Sequence, residues 1–219
     1  FGKLANYPVK IIWTREQDIM HDRYRPAYHD TVAATLDART RLPAAFYHRT
    51  TGSTVRQYYD RKPWPDGKLD PDTIAGSVDM PYAIPNAKWE WIREDSPVAL
   101  NWWRGVGEGH NVFVVESFID ELALAAGKDP VDYRLSMLRE APRAAAVLKQ
   151  VADASGWGSD LPPRRGRGVS LHHSFGTYAA LVMDVEVDKF GGVKLISGTI
   201  AVDCGVAINP DSIVAQMTG

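Results

Sequence analysis

The pattern of apolar and polar positions along the chain predicts a β-rich first part. Apolar and polar residues alternate over residues 28–51 on both sides of a polar turn, Asp37 to Leu42, which predicts a β-hairpin. Shorter runs at 9–13 and 87–95 predict two further strands. Between them, residues 52–80 are rich in Gly, Pro, Asp and Lys and predict a long surface loop, which is either functional or docked on another element.

The middle of the chain has the spacing of helices. From Asn111 the apolar residues recur at helical intervals, and Gly127 is expected to end this first helix. Asp129–Pro130 predicts the start of a second helix, with Asp as the N-cap and Pro at the first position. A third helix is predicted to follow Pro142 and to end at Gly156.

The last part returns to β patterns. After the basic stretch 162–168, three apolar runs predict consecutive strands, with a tight turn at Gly191–Gly192. Asn209 and Pro210 then predict the start of a final helix. The fold class is therefore α+β, with β-rich ends around a helical middle. We expect a β-rich segment at 1–100, a glycine loop and helices at 101–160, and a β-hairpin segment ending in a helix at 161–219.

Composition and charge narrow the functional classes. The 219 residues are 45% apolar and 24% charged, which is typical of a globular domain. A net charge of −2 gives no reason to expect nucleic acid, and no apolar run reaches the roughly 20 residues that span a bilayer. Cys204 stands alone, so neither an internal disulfide nor a cysteine metal cluster is expected, and such a cysteine is usually buried and inert.

Arg104 is the strongest candidate for a functional side chain. It follows Trp102–Trp103, expected to be a buried aromatic pair, and precedes alternating glycines from Gly105 to Gly109. A planar guanidinium can orient a carbonyl or carboxylate, glycines let the backbone approach a ligand, and the N–H groups of the following helix can bind an anion. A tight loop with a structural arginine is an equal alternative. The spacing is G-x-G-x-G, which does not favour a dinucleotide fold.

The remaining candidates have ordinary structural explanations. His110, at the predicted helix start, either faces a ligand or caps a turn. Glu116 and Asp120 share a helix face, which usually means a solvated surface. His172 and His173 are adjacent on a predicted strand, so they point to opposite faces and are poorly placed to chelate a metal. No Ser-His-Asp or Cys-His set can be argued from spacing.

Three long motifs together resemble a known family. They are PYAIPNAKWEW at 81–91, WWRGVGEGHNVFVVESFIDELALAAGKDPVDYRLSML at 102–138, and the run at 166–219 that ends in DCGVAINPDSIVAQMTG. They are similar to the molybdenum-binding subunit of the xanthine dehydrogenase and aldehyde oxidase family. The direct run from GRGVSLHHSF into the last signature most resembles the isoquinoline 1-oxidoreductase β-subunit group.

The resemblance implies a molybdenum hydroxylase that oxidises an N-heterocycle or an aldehyde with oxygen derived from water. It implies molybdopterin cytosine dinucleotide as the cofactor and a small [2Fe-2S] subunit as the electron acceptor. Arg104 would lie at the substrate end of the molybdenum pocket, and Gly105, Val106, Gly107 and Gln216 would contact the cofactor. The candidate substrate pocket also includes Trp103 and His110.

Several departures from the family pattern limit this interpretation. Val106 replaces an aromatic residue that stacks on flat substrates in purine-oxidising members, so purine oxidation is not favoured. The family's glycine-rich pterin loop and its general-base glutamate have no match, so we expect a fragment of a larger molybdopterin-binding domain, inactive alone. The alternative is a non-catalytic α+β binding domain that kept the scaffold. The sequence leaves open the substrate and whether the protein is periplasmic, as the isoquinoline-type group suggests, or cytoplasmic.

Overall fold

The computed structural model describes residues 2–219, which form seven helices and six strands. The chain is α+β, as the sequence predicts. In chain order the elements are α1 (Arg15–His21), β1 (Tyr28–Leu36), β2 (Pro43–Gly52), α2 (Arg56–Asp60), α3 (Pro71–Ile74), β3 (Asn86–Arg93), α4 (Glu108–Ala126), α5 (Pro130–Met137), α6 (Pro142–Ser155), β4 (Arg165–Ser174), β5 (Thr177–Val187), β6 (Val193–Asp203) and α7 (Pro210–Thr218).

The strands form two separate three-stranded sheets. In the first, β1 and β2 make the predicted antiparallel hairpin, and β3 pairs in parallel with β2. In the second, the three consecutive strands expected from the sequence, β4, β5 and β6, form an antiparallel meander. The strand β4 begins at Arg165, inside the stretch expected to be a basic loop.

Local capping signals place the helix ends where the sequence predicts them. Gly127 and Gly156 end α4 and α6 with φ of 67° and 65°, in the left-handed region that favours glycine. Asp129 caps α5 by accepting hydrogen bonds from two backbone N–H groups. Asn209 caps α7 by accepting one hydrogen bond, from the backbone N–H of Ser212. Within residues 2–219, none of these helices has both the length and the apolar character needed to cross a membrane.

The core lies between the helices and the second sheet. The helix α6 packs on β5 and β6, while α4 contacts α5, β1 and β4. Ile119, Ala123, Leu148 and Val151 are fully buried where these elements meet. Burying each large aliphatic side chain contributes roughly 1.5–3 kcal/mol, so this region holds α4 in place.

Two expectations for the first part of the chain are wrong. In the structure of residues 2–219 the run 9–13 forms no strand, and Ile12 is 76% exposed. Instead, a capping box between Thr14 and Gln17 starts the helix α1. A short apolar run does not by itself distinguish a strand from another element, and here the capping signal was the informative one.

Residues 52–80 are also not a surface loop throughout. They contain α2 and α3, and the polar side chains of Thr54, Asp70 and Thr73 are at most 1% exposed. Asp70 accepts hydrogen bonds from the backbone N–H of Asp72 and the hydroxyl of Thr73. Polar residues can be buried here because they bond to the segment's own backbone and side chains. The segment is thus docked beside α4, the second of the two outcomes expected for so long a loop.

Glu116 lies at the centre of a buried polar network, so the expectation that it belongs to a solvated face is wrong. Arg134, fully buried on α5, donates to its carboxylate and to its backbone carbonyl, both at 3.0 Å. Tyr82 donates to the other carboxylate oxygen at 2.7 Å, and the backbone N–H of Leu171 donates at 2.8 Å. Asp120, the half-exposed partner one turn along, also accepts from Arg134.

This network joins four parts of the chain through one carboxylate: α4, α5, β4 and the segment before β3. Burial raises the pKa of the Glu116 carboxyl, and the charge and hydrogen bonds of Arg134, Tyr82 and Leu171 limit that rise. A buried ion pair contributes little net stability compared with apolar side chains of the same volume. Removing one partner alone is costly, because the other charge is left buried without compensation.

We therefore expect Arg134→Ala to lower the free energy of unfolding by about 3–5 kcal/mol, measured by urea denaturation. The matched control is Arg165→Ala, which removes an exposed ion pair with Glu186 and should cost below about 1 kcal/mol. Equal, small losses for the two variants would show that Arg134 is not essential to the packing of α4.

Candidate functional site

The residues between Trp103 and α4 form a strained turn, which we call the Arg104 loop (residues 104–107). Gly105 has a φ of 93° and Val106 a φ of 47°. Left-handed backbone is unfavourable for a β-branched residue such as valine and costs on the order of 1–3 kcal/mol. The N–H of Val106 donates to the carbonyl of Trp103 at 2.9 Å and closes the turn. Strain of this kind is often found at functional sites.

The glycines of this region serve close packing within the protein. A side chain at Gly107 would collide with the backbone carbonyls of Asp72 and Ala75, and one at Gly109 would collide with the guanidinium of Arg25. Gly105 has more space around it but needs the left-handed conformation. Close packing inside the protein is therefore enough to explain why residue 107 is a glycine. Its contact with a cofactor stays a prediction.

The first turn of α4 uses several of its N–H groups internally. Gly109 donates to the carbonyl of Gly105 at 3.3 Å, and His110 and Asn111 donate to the carbonyl of Gly107 at 3.2 and 3.0 Å. An anion at this end of the helix would thus find fewer free N–H donors than a helix N-terminus usually offers.

Arg104 and Gln216, two candidates from separate motifs far apart in the sequence, come together in the fold. Arg104 is exposed at the end of the aromatic stretch, and Gln216 lies on α7. When the Gln216 amide is oriented by its hydrogen-bonding partners, its oxygen accepts from both terminal nitrogens of the Arg104 guanidinium. Both side chains are exposed to solvent.

The aromatic pair is not buried as expected. Trp102 is half-buried, donates to the Asp72 carboxylate at 3.0 Å and lies against the ring of Tyr59 at 4.8 Å between centroids. Trp103 is 60% exposed, because these contacts hold only its neighbour. A cavity of about 10 Å³ separates Trp103, Val106 and Gly107 from the residues opposite, including Asp72. That volume holds about one water molecule, so within residues 2–219 this cavity is no substrate pocket.

His110 is turned toward the first sheet. Its ring stacks on Tyr28 with centroids 4.0 Å apart, and neither ring nitrogen has a hydrogen-bonding partner in the part of the chain described, 2–219, although both are buried. Burial lowers the pKa of His110 to about 4; the nearby Asp30 carboxylate opposes this shift and Arg25 adds to it. The imidazole is thus neutral at neutral pH. Its assignment to the substrate pocket stays a prediction.

Sequence reasoning missed a polar chain beneath the first sheet. Asp30, His48 and Ser77 are joined by hydrogen bonds of 2.9 Å (Asp30 to His48) and 2.7 Å (His48 to Ser77). The Asp30 carboxylate can only accept, so Nε2–H of His48 donates to it, and Trp89 donates to the Ser77 hydroxyl at 2.9 Å. Thr50 also donates to Asp30 at 2.8 Å. The only sequence signal was the polar residues at alternate positions of the two hairpin strands.

The hydrogen-bonded residues Asp30, His48 and Ser77 are the residue types of a nucleophilic triad, but the serine is not accessible to a substrate. Ser77 is 1% exposed and His48 likewise, so no substrate reaches the hydroxyl. The hydrogen bonds that His48 and Thr50 donate lower the pKa of Asp30 despite its burial. The cluster therefore ties the hairpin to the 52–80 segment and is structural.

His172 and His173 lie on a strand, as the sequence predicts, so their side chains point to opposite faces of the sheet. His172 and His173 are neighbours on β4, and His173 stacks on Tyr178 at 4.4 Å. Burial lowers the pKa of His172. Among residues 2–219 there is no group of three His, Cys, Asp or Glu side chains able to hold a metal ion. Cys204 is half-buried, more accessible than the buried position expected.

The buried imidazole of His110 makes stability depend on pH. Its folded-state pKa of about 4 lies below the ordinary value of 6.5, so the unfolded chain binds the proton more readily. The contribution of His110 to the free energy of unfolding is complete above about pH 6.5 and is lost as the pH falls toward 4, by up to about 3 kcal/mol.

The variant His110→Phe keeps an aromatic ring against Tyr28. Its free energy of unfolding should therefore depend less on pH between 6.5 and 4 than that of the wild type. His21→Gln, exposed on α1, should leave the slope unchanged; equal slopes in all three proteins would contradict the assignment.

Comparison with known proteins shows long matches to parts of larger enzymes. The chain is 30% identical over 217 residues to the beta subunit of isoquinoline 1-oxidoreductase of Brevundimonas diminuta, covering 96% of this chain and 28% of that protein. It is 29% identical over 247 residues to the membrane-bound aldehyde dehydrogenase (pyrroloquinoline-quinone) of Gluconacetobacter polyoxogenes, covering 99% and 31%. A nicotinate dehydrogenase subunit of Pseudomonas putida is 38% identical over 140 residues, covering 56% and 12%. The chain thus spans less than a third of the length of these relatives.

A solved structure and a family model complete the comparison. The aldehyde oxidoreductase from Desulfovibrio desulfuricans aligns with a TM-score of 0.46 and 19% identity, covering 78% of this chain and 21% of that one. The model described as "Molybdopterin cofactor-binding domain" matches residues 2–138, which is more than half of the chain and includes the Arg104 loop and α4. The resemblance seen in the motifs is confirmed, and the chain belongs to the molybdopterin cofactor-binding domain family.

Proposed function

We propose that this chain is part of the substrate-oxidising subunit of a molybdenum hydroxylase. Its substrate class would be an N-heterocycle or an aldehyde, oxidised with oxygen derived from water. The observation that carries the proposal is the contact between Arg104 and Gln216, because two residues of separate family motifs meet on one accessible surface. The names of two relatives, an isoquinoline oxidoreductase and a nicotinate dehydrogenase, support a heterocyclic substrate.

The residues present fit one wall of a cofactor site. Arg104 and Gln216 offer guanidinium and amide groups beside the left-handed turn of Gly105 and Val106. In this proposal Gln216 and the turn hold the pterin end of the cofactor, while Arg104 faces the substrate and Trp103 lies at the edge of the substrate position. When bound, the cofactor supplies the metal centre at which the oxidation occurs. The remaining walls would come from other parts of a larger subunit.

Arg104 would act on charge that develops in the substrate. Transfer of oxygen to a carbon places negative charge on the neighbouring ring nitrogen or on the carbonyl oxygen. A guanidinium held beside that atom stabilises the transition state more than the ground state, which raises turnover. The amide oxygen of Gln216 orients the guanidinium for this role by accepting from its two terminal nitrogens.

Val106 sets a limit on the substrate. It occupies the position where purine-oxidising members have an aromatic ring, and its side chain is held by the strained turn. Valine offers no flat surface for stacking, so substrates that depend on such stacking, purines above all, would bind poorly. Smaller heterocycles and aldehydes depend less on it.

The form of the cofactor and the redox partner are inferred from the resemblance of the motifs to the family. We propose molybdopterin cytosine dinucleotide as the cofactor and a small [2Fe-2S] subunit as the electron acceptor. Two relatives are named as subunits, which supports an assembly of several chains. The general base would be a glutamate outside residues 1–219 that takes a proton during the reaction.

The surface of the chain supports its place in a larger subunit. It exposes 14290 Å², whereas a folded monomer of 24.3 kDa exposes about 10,000 Å². Large apolar side chains contribute to the surplus; Phe113 on α4 is 75% exposed and Ile208 before α7 is 93% exposed. Large apolar side chains exposed in this way are typical of surfaces that contact further protein.

The first test uses Arg104 in the full-length enzyme that contains this chain. Arg104→Ala should lower turnover per molybdenum by ~10²–10³, equivalent to about 2.7–4 kcal/mol, while molybdenum content and melting temperature stay close to wild type. Arg104→Lys should recover only part of the loss, because lysine keeps the charge without the planar fork. Steady-state kinetics and metal analysis measure both effects.

Two other outcomes would reject this role. Early unfolding of Arg104→Ala with normal turnover of its folded fraction would identify the arginine as a structural brace. A full-length protein that never contains molybdenum, wild type included, would favour the alternative of a non-catalytic binding domain.

The second test uses the isolated chain. Because a dinucleotide cofactor needs contacts from several segments and this chain offers one wall, we expect the purified chain to retain little or no molybdenum. Metal analysis after gel filtration measures this directly. Stoichiometric molybdenum in the isolated chain would mean that residues 1–219 hold the cofactor unaided.

A further inference from the structure

Glu108 connects the Arg104 loop to the second sheet. It is the first residue of α4 and follows Gly107 directly. Its Oε1 accepts a hydrogen bond of 2.8 Å from the hydroxyl of Ser174, the last residue of β4. The end of the loop is therefore attached to the end of a strand by a side-chain contact.

A second contact joins the same helix to the same strand. Glu116 accepts from the backbone N–H of Leu171 at 2.8 Å. Glu108 and Glu116 are about 12 Å apart along a helix, and Leu171 and Ser174 about 10 Å apart along a strand. The spans match, and the pairs run in opposite chain directions. Two contacts so far apart fix both the position and the direction of α4 on β4, whereas one contact would leave the helix free to pivot.

The opposite side of the first turn is held by the segment before β3. Asn111 donates from its amide to the carbonyls of Thr73 and Ala75, at 2.8 and 2.9 Å. Gly76 packs so closely on Glu108 that a side chain added there would approach its Cα to 2.9 Å. The first turn of α4, which follows the Arg104 loop, thus lies between this segment and β4, and Glu108 is its only charged contact with β4 among the described hydrogen bonds.

Glu108 and β4 each carry one further buried polar atom near this contact. Oε2 of Glu108 and Nε2 of His172 are both buried and lack a hydrogen-bonding partner within residues 2–219. His172 and Ser174 are two positions apart on β4, so their side chains point to the same side of the strand.

We propose that Glu108 is a positioning residue for Arg104: through Ser174 it fixes the first turn of α4 on β4, and thereby the direction in which the guanidinium points. This role rests on the proposed function of Arg104. Misplacement of a reacting or stabilising group by about 1 Å can lower turnover by ~10²-fold, so an anchor of this kind affects turnover without touching substrate.

The test compares three variants of the full-length enzyme. Glu108→Ala should lower turnover per molybdenum at least ~10-fold, with molybdenum content retained, and should speed amide hydrogen exchange in the peptide that covers 103–111. Glu108→Gln keeps an oxygen for the Ser174 hydroxyl and should recover most of the turnover and the slow exchange. Glu121→Ala is the matched control, since Glu121 lies exposed on the same helix, and it should change neither quantity.

A double-mutant cycle separates positioning from a merely structural role. If Glu108 acts through Arg104, Glu108→Ala should cost almost nothing further in the Arg104→Ala background. Independent, multiplying losses would overturn the proposal, as would normal turnover per molybdenum in Glu108→Ala. If that variant does not accumulate, Ser174→Ala removes one hydroxyl from the same contact and should reproduce the loss and the faster exchange in weaker form.

The outcome for Arg104 alone identifies which proposal fails. A loss in Arg104→Ala with no effect of Glu108→Ala contradicts only the positioning role. Normal turnover in Arg104→Ala contradicts the proposed role of the arginine, and the positioning role with it, whatever the Glu108 variants show.

Discussion

The buried carboxylate of Glu116 is the constraint on which the rest of the structure depends. It accepts hydrogen bonds from Arg134 on α5, from Tyr82 before β3 and from the backbone of β4. A charge in this interior is tolerable only with all of these donors in place, so the elements that supply them must pack together. The network determines where α4 lies, and the Arg104 loop precedes α4 directly. The position of the candidate site thus follows from an ion pair about two helical turns away.

The parts of the fold that depend on neighbouring residues were predictable from the sequence. Asp129–Pro130, Gly127 and Gly156 mark helix ends by signals within a few residues, and the alternation at 28–51 marks a hairpin. The parts that depend on distant partners were not. Glu116 looked solvated because its partner Arg134 lies on another helix. Ser77 and His48 looked unrelated because only the folded chain brings them together.

The candidate site shows the same division. Arg104 and Gln216 were singled out by resemblance, and no local pattern indicated that they would touch. The glycines around them were expected to make room for a ligand, yet two of them make room for the protein's own backbone and for Arg25. The loop is therefore rigidly packed on its inner side and open on the side where Arg104 and Trp103 are exposed. A surface held in this way suits the role of one preformed wall of a larger site.

The most direct test of this account is the position of the metal in a crystal structure of the full-length protein, located by anomalous scattering at the molybdenum edge. The account predicts a peak on the open side of the Arg104 loop, next to the paired side chains of Arg104 and Gln216. A peak on the other side of α4, against the sheet of β1, β2 and β3, would contradict it.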